Sequence, residues 1–347
     1  MWFSKKKKPK YRYSFGYQNW YQSAKKECIN TRNNLGFFDL TPFVKFDLSG
    51  KNAHEQLQYL CANNVKNIEG RTTYTQMLNP SGGIEADLTI SCLKKNYFRV
   101  ICPALARSHN KSLILKNLTK KVKFEDVTEK YSCIGLFGPN SRKFLTDLFG
   151  DHFSKEDFPF SRGKYLNFDR NKIWFQRLSF IGELGWEIYI PLKNTLKIFN
   201  RVKKFGKHYN LTYAGMHSLD ILRLEKKFLH WGHDITSENN PFEAGLSFAV
   251  NFKKNNDFIG RKALEKLKNS PPNKKLELFS LKNNYQPGKP LILHDEPIFF
   301  KDKIIGYTTS SNYSFCYKKN ICLAYINGNL NNYDNFFIEI EGRKYAL

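Results

Sequence analysis

At 347 residues and 41% apolar, the chain is long enough for two or three packed units. Aromatic content of 16% excludes the disordered class, despite abundant Lys and Asn. The formal charge of +25 invites a nucleic-acid reading, but Lys far outnumbers Arg and is spread along the whole chain, so no nucleic-acid partner is expected. No apolar run approaches the roughly 18 residues of a membrane span. The opening MWFSKKKKPKYRY has neither an apolar core nor a small-residue cleavage site, so the expectation is a cytoplasmic protein with no membrane partner. The 7 cysteines are scattered with no CxxC spacing, which fits reduced thiols and argues against a disulfide framework or a zinc site.

In chain order, a basic tail over 1–10 precedes an amphipathic helix expected over Tyr17 to Asn30. Alternation around Val44, Phe46 and Leu48 predicts a strand ending at Gly50, and Ala53, Leu57, Leu60 and Cys61 have helical spacing. Strands are expected around Tyr74 to Leu78, Ala86 to Leu93 and Tyr97 to Cys102, with the Asn79 to Gly83 turn between the first two. A similar passage follows: the strand and helix of YSCIGLFGPNSRKFLTDLFG, ended by Gly150, then a hairpin hinged at Gly182 to Gly185. Helices are expected over Thr195 to Phe205 and along HSLDILRLEKKFL. This rhythm points to an α+β fold with two similar lobes in 11–267. KNSPPNKK at 268–275 reads as a linker, and 276–347 as a small β unit with turns at Pro287-Gly288, Asp302-Lys303 and Asn327 to Asn332.

No GxGxxG or GxxxxGK[ST] occurs, so a Rossmann-bound flavin within this chain is not expected. The 8 histidines show no metal-ligand spacing. What remains is a set of charges in apolar settings. In GIEADLTI, Asp87 shares a strand face with Glu85 and Thr89, while Ile84, Ala86, Leu88 and Ile90 take the other. On pattern alone, a solvent-facing polar stripe is the favoured reading over a site. Glu187 lies between Trp186 and Ile188, and Arg223 between Leu222 and Leu224 on a helix whose charges could simply be its wet surface.

Taken together and in this order, LGFFDLTPFVKFDLSG, GRTTYTQMLNPSGGIEADLT, GELGWEIYIP, LRLEKKFLHWGHDIT, NNPFEAGLSFAV and DFIGRKAL resemble the aminomethyltransferase (glycine-cleavage T-protein) superfamily. The resemblance runs over essentially the whole chain. YTQMLNPSGGIEADLT and LRLEKKFLHWGHDIT look most like the folate-binding C-terminal half of dimethylglycine and sarcosine dehydrogenases. It implies a cloverleaf of two ferredoxin-like lobes and a small C-terminal β-barrel around a tetrahydrofolate pocket. It also implies roles. Asp87 would contact the N5/N10 side of the folate as the catalytic carboxylate, and Glu187 would grip the pterin's amino and amide N–H groups. Tyr74 and Trp231 would line the pocket, and Arg223 would lie near the benzoate or glutamate end. Glu85 serves as the contrast, expected to tolerate substitution where Asp87 does not.

The implied activity is capture of a one-carbon unit from an oxidised N-methylglycine, giving 5,10-methylenetetrahydrofolate, with FAD expected only on a separate flavoprotein partner subunit. T-protein aminomethyl transfer from a lipoyl carrier, or a non-catalytic folate-binding subunit, are the alternatives. Phe180 and Phe228 stand where relatives carry aromatic hydroxyls, and VICPALARSHN lacks the Asn typical of T-proteins. The short end EGRKYAL leaves the last barrel strand in question.

Overall fold

The computed structural model describes residues 10–119, 121–329 and 335–347. Most of the basic tail, and Asn331 and Asn332 of the expected C-terminal turn, lie outside the described residues.

The first helix, α1 (Tyr21–Asn33), begins four residues later than periodicity alone indicates. Gln18 Nε2 donates to the carbonyls of Ser14 (2.6 Å) and Gly16 (3.0 Å), which holds the preceding segment in a turn. Next come β1 (Leu35–Asp39) and β2 (Val44–Ser49), then α2 (Ala53–Leu60), β3 (Thr72–Leu78), β4 (Ile84–Lys94), β5 (Tyr97–Cys102), α3 (Arg107–Asn117) and β6 (Lys123–Asp126). The first-lobe sheet has the order β3-β4-β5-β2-β6, antiparallel throughout. The alternation read in β4 sets its two faces. Ala86, Leu88 and Ile90 join Phe46, Phe98 and Val100 in a core capped by Leu57 and Leu60 of α2 and Ile114 of α3. Asp87, Thr89 and Ser91 take the opposite face.

The second lobe is built from β7 (Tyr131–Phe137), α4 (Ser141–Phe149), β8 (Gly163–Phe168), β9 (Asn171–Gln176), β10 (Gly185–Pro191), α5 (Thr195–Gly206), β11 (Leu211–Ala214) and α6 (Met216–Leu224). As the sequence anticipates, α4 stops at Gly150, whose φ of 96° is readily adopted only by glycine. Its sheet has the order β11-β1-β7-β10-β9-β8. One face packs on α4 and α5 through Phe144, Leu145, Ile198 and Val202. The other meets α1 and α6 through Phe38, Phe137, Trp174 and Tyr189.

Helix α7 (Arg261–Leu267) precedes the Pro-Pro stretch, after which β12 (Lys274–Ser280), β13 (Pro297–Phe300), β14 (Lys303–Ser314), β15 (Lys319–Asn327), β16 (Phe336–Ile340) and β17 (Arg343–Ala346) form a sheet in the order β12-β15-β14-β13-β16-β17. Lys282 N donates to Ala346 O at 2.9 Å, bringing the residues after β12 against β17. The last strand is therefore in place, paired with β16 and curled back to the start of the sheet. The α+β cloverleaf with its barrel-like C-terminal unit is the architecture observed. Among the described residues, no helix is long and apolar enough to cross a membrane.

Candidate functional site

The Asn79 to Gly83 turn aims β4. Asn79 Oδ1 accepts from Ser81 N (3.0 Å) and Gly83 N (2.9 Å), and Gly82 has φ +88°. A Cβ on Gly83 would collide with the carbonyl oxygen of Ser237, so only glycine lets the 237 segment close over the start of the strand. Downstream, Asp87 lies opposite Gln76 of β3, whose Nε2 donates to Asp87 Oδ1 at 2.9 Å.

The second lobe repeats the arrangement. Glu187 of β10 lies opposite Gln176 of β9, whose Nε2 donates to Glu187 Oε2 at 3.3 Å. In both lobes the glutamine precedes its acid by 11 residues. Tyr189 adds a 2.6 Å hydrogen bond to Glu187 Oε2. The two devices are bridged: Thr72 and Ser91 share a hydrogen bond of 3.0 Å, and Ser91 Oγ donates to Gln176 Oε1. Trp174 Nε1 reaches the same oxygen at 3.3 Å, which leaves the amide nitrogen turned to Glu187.

Both acids are half-buried. Burial pushes the Asp87 carboxyl up to about 6, against hydrogen bonds from Gln76 and Tyr74 that favour the ionised form. Burial raises Glu187 too, opposed by the Tyr189 hydrogen bond and the charge of Lys45. Gln76 Oε1 is buried with no hydrogen-bond partner, an acceptor beside Asp87 that a ligand N–H would satisfy.

Of the other residues singled out from the sequence, Tyr74 touches Asp87 and stacks on Phe248, ring centres 6.0 Å apart. Trp231 is tied to the start of β4, its Nε1 donating to Ile84 O at 2.9 Å, and stacks on His109 at 5.3 Å. Glu85, the expected contrast to Asp87, has a contact of its own. Its carboxylate lies 3.2 Å from His109 Nε2, and so supports the ring on which Trp231 rests. Phe180 and Phe228 lie 6.2 Å apart near the mouth of α6.

Arg223, expected near the benzoate or glutamate end of the folate, is 2% exposed and makes four hydrogen bonds within the protein. Asp220 takes Nε and Nη2, Phe228 O and Asp234 take Nη1, and Ser310 takes the rest of Nη2. Asp234 in turn accepts from His230 N at 2.9 Å and from the Thr309 hydroxyl at 2.6 Å. The ion pair thus fastens α6 and the 230–234 turn to β14.

Sequence reasoning missed Gln76, Gln176, Tyr189 and Lys45. The equal 11-residue spacing of glutamine and acid on two hairpins was the available signal. Among the described residues, no cluster of His, Cys, Asp and Glu is arranged to hold a metal ion.

Comparison with known proteins shows the family and the fold. Residues 1–254 match the GCVT N-terminal domain, and residues 274–347 match the glycine cleavage T-protein C-terminal barrel domain. Mitochondrial dimethylglycine dehydrogenase of Mus musculus is 30% identical over 329 residues, 94% of this chain but 37% of that one, so the chain spans little more than a third of that relative's length. An aminomethyltransferase of Halothermothrix orenii is 30% identical over 308 residues, covering 88% of this chain and 84% of that protein. In fold, the crystal structure of the glycine cleavage system aminomethyltransferase T from Bartonella henselae matches with a TM-score of 0.83 over 95% of this chain and 88% of that one, at 23% identity. With both domains matched and the fold shared, the chain belongs to the GCVT family of aminomethyltransferases.

Proposed function

We propose that the protein binds tetrahydrofolate at Asp87 and Glu187 and transfers a one-carbon unit to it, taken from the oxidised form of dimethylglycine or sarcosine, to give 5,10-methylenetetrahydrofolate. The observation that carries this reading is the pair of glutamine-clamped carboxylates, Gln76 with Asp87 and Gln176 with Glu187, joined across the two lobes through Ser91 and Gln176. A reduced pterin presents adjacent amide and amino N–H donors, and an ionised carboxylate is acceptor-only, so Glu187 suits that edge. The unpaired Gln76 Oε1 offers a further acceptor.

Bound folate would supply the two nitrogens that accept the carbon, each giving up a proton; one would leave with the departing amine, and Asp87 is the residue of this chain that would take the other. A carboxyl near 6 is well matched to that exchange at neutral pH, where such proton transfer contributes typically 10² to 10⁴ in rate. Oxidation of the amine would fall to a flavoprotein partner carrying FAD, in keeping with the similarity to dimethylglycine dehydrogenase. Similarity to an aminomethyltransferase of comparable span supports a second reading, release of ammonia from an aminomethyl-lipoyl carrier.

Calorimetric titration with tetrahydrofolate tests the site. Wild type should bind and Glu187→Ala should bind far more weakly, whereas Asp87→Asn should bind yet fail to form product. Binding that is absent, or unchanged when both substitutions are combined, overturns the assignment. Product formed with lipoylated carrier protein and ammonia release, and not with an N-methylglycine-oxidising flavoprotein, selects the second reading.

A further inference from the structure

The buried arginines of this fold present one edge to an acid. The Nε and Nη2 nitrogens of Arg32 hold Glu225, those of Arg99 hold Asp47 and those of Arg223 hold Asp220. Arg142, Arg162 and Arg177, all half-buried, depart from this pattern. Each is anchored through Nη1 to a backbone carbonyl: Arg142 to Phe153 O, Arg177 to Phe158 O at 2.9 Å and Arg162 to Glu69 O at 3.5 Å. Among the described residues, none of the three forms an ion pair, and the Nε–Nη2 edge of each is bonded to no acceptor.

The backbone gathers them. Arg162 is the bridge partner of Arg71, and Arg177 N donates to Arg162 O at 2.7 Å, so three arginines stand on adjacent segments across the junction of the lobes. Their face of the strands is opposite the one that carries Thr72 and Gln176, the residues joined through Ser91. Arg142, in the first turn of α4, meets Arg177 over the ring of Trp186, their guanidinium carbons 5.2 and 5.8 Å from its centre. Trp186 is itself fully buried, and its Nε1–H has no acceptor.

Like charges directly opposite one another are destabilising, and a bound anion would relieve that repulsion. The acids of the 153–158 segment do not: Asp157 accepts from the Ser154 hydroxyl at 2.8 Å, and Glu156 acts on Arg142 without forming an ion pair. Burial lowers Arg142, Arg162 and Arg177 from the ordinary guanidinium value, with Arg177 adding to the effect at Arg142 and Arg71 at Arg162.

We propose that Arg142, Arg162 and Arg177, with Arg71 at the rim, form a binding site for a small phosphate-class oxyanion at the junction of the lobes, separate from the Asp87 and Glu187 site. A guanidinium anchored by one nitrogen keeps a planar fork of N–H donors, the geometry that grips two oxygens of one anion. Lysine would supply point charges and no fork, so arginine at these positions, in a chain where lysine prevails, favours planar recognition over general positive charge.

Calorimetric titration of the full chain tests the site, with inorganic phosphate and glycerol phosphate as probes and chloride holding the ionic strength constant. Wild type should bind at least one probe, and Arg142→Gln with Arg177→Gln should weaken that binding by about tenfold or more. Lys25→Gln with Lys26→Gln, which removes two exposed charges of α1, should leave it unchanged. If the double arginine variant does not fold, Arg142→Lys with Arg177→Lys takes its part; it keeps the charge, loses the fork and should weaken binding likewise. Preference for inorganic phosphate marks the free ion as the ligand, and preference for the ester marks a phosphorylated small molecule. Binding of neither probe by wild type overturns the proposal, as does undiminished binding in the arginine variants or an equal loss in the lysine control.

Discussion

The two lobes carry one device in two environments. Asp87 and Glu187 are each clamped by a glutamine directly across an antiparallel pair, 11 residues earlier. Around Asp87 the helpers are neutral, Gln76 and Tyr74; around Glu187 they are Tyr189 and the charge of Lys45. Repeated backbone geometry sets a glutamine across from a carboxylate in each lobe, and the neighbours on the other strands give the two acids different surroundings.

The comparison is broken most severely at Asp87. Asp87→Asn preserves shape and an oxygen that Gln76 can still bond, and should lower the rate of one-carbon transfer by about 10²- to 10⁴-fold in a product-formation assay. The same substitution should stabilise the protein. With the carboxyl raised from 3.8 to about 6, the folded chain holds a proton that the unfolded chain has released, so stability is full below about pH 4 and falls as pH rises to about 6. Above that window the variant should unfold later than wild type, by up to about 2 kcal/mol once partial solvent contact is allowed for; near pH 4 the two should coincide in thermal melts.

Arg223 supplies the next largest effect. Arg223→Met leaves Asp234 buried without its cation and should cost about 3–5 kcal/mol in denaturant unfolding. Full stability with selective loss of affinity for polyglutamylated folate would return Arg223 to the ligand.

Ser91→Ala probes the bridge between the lobes. It should cost roughly 1–2 kcal/mol by freeing one acceptor of the Gln176 amide, and should weaken folate binding without changing the pH dependence of transfer. An unchanged affinity would show that Glu187 needs no orientation from the first lobe. The mildest change is Glu85→Gln. It removes a half-exposed pairing to His109 and should shift stability by well under 1 kcal/mol, with a small loss of affinity through Trp231.

Much of this was readable in advance because short-range rules act on short-range patterns. The alternation of β4, the apolar face of α2 and the glycine stop of α4 depend on residues within a few positions of one another, and the structure follows them. Family motifs then pointed to Asp87, Glu187, Tyr74 and Trp231. Arg223 resisted because a charge at its helical position reads alike whether it faces water, a ligand or a buried partner. Its partners Asp234 and Ser310 lie 11 and 87 residues away.

By itself, then, the order of residues determined the elements, the two-lobe α+β class and the carboxylates worth suspecting, since backbone preference and hydrophobic period are local properties. Only the tertiary structure decided which polar positions are exposed and which are covered, because exposure depends on what packs opposite. It also made Glu85 a support for His109 and Arg223 a buried fastener. Each of those roles comes from a partner brought close by folding, where a low local dielectric makes a single charge act strongly on its neighbours.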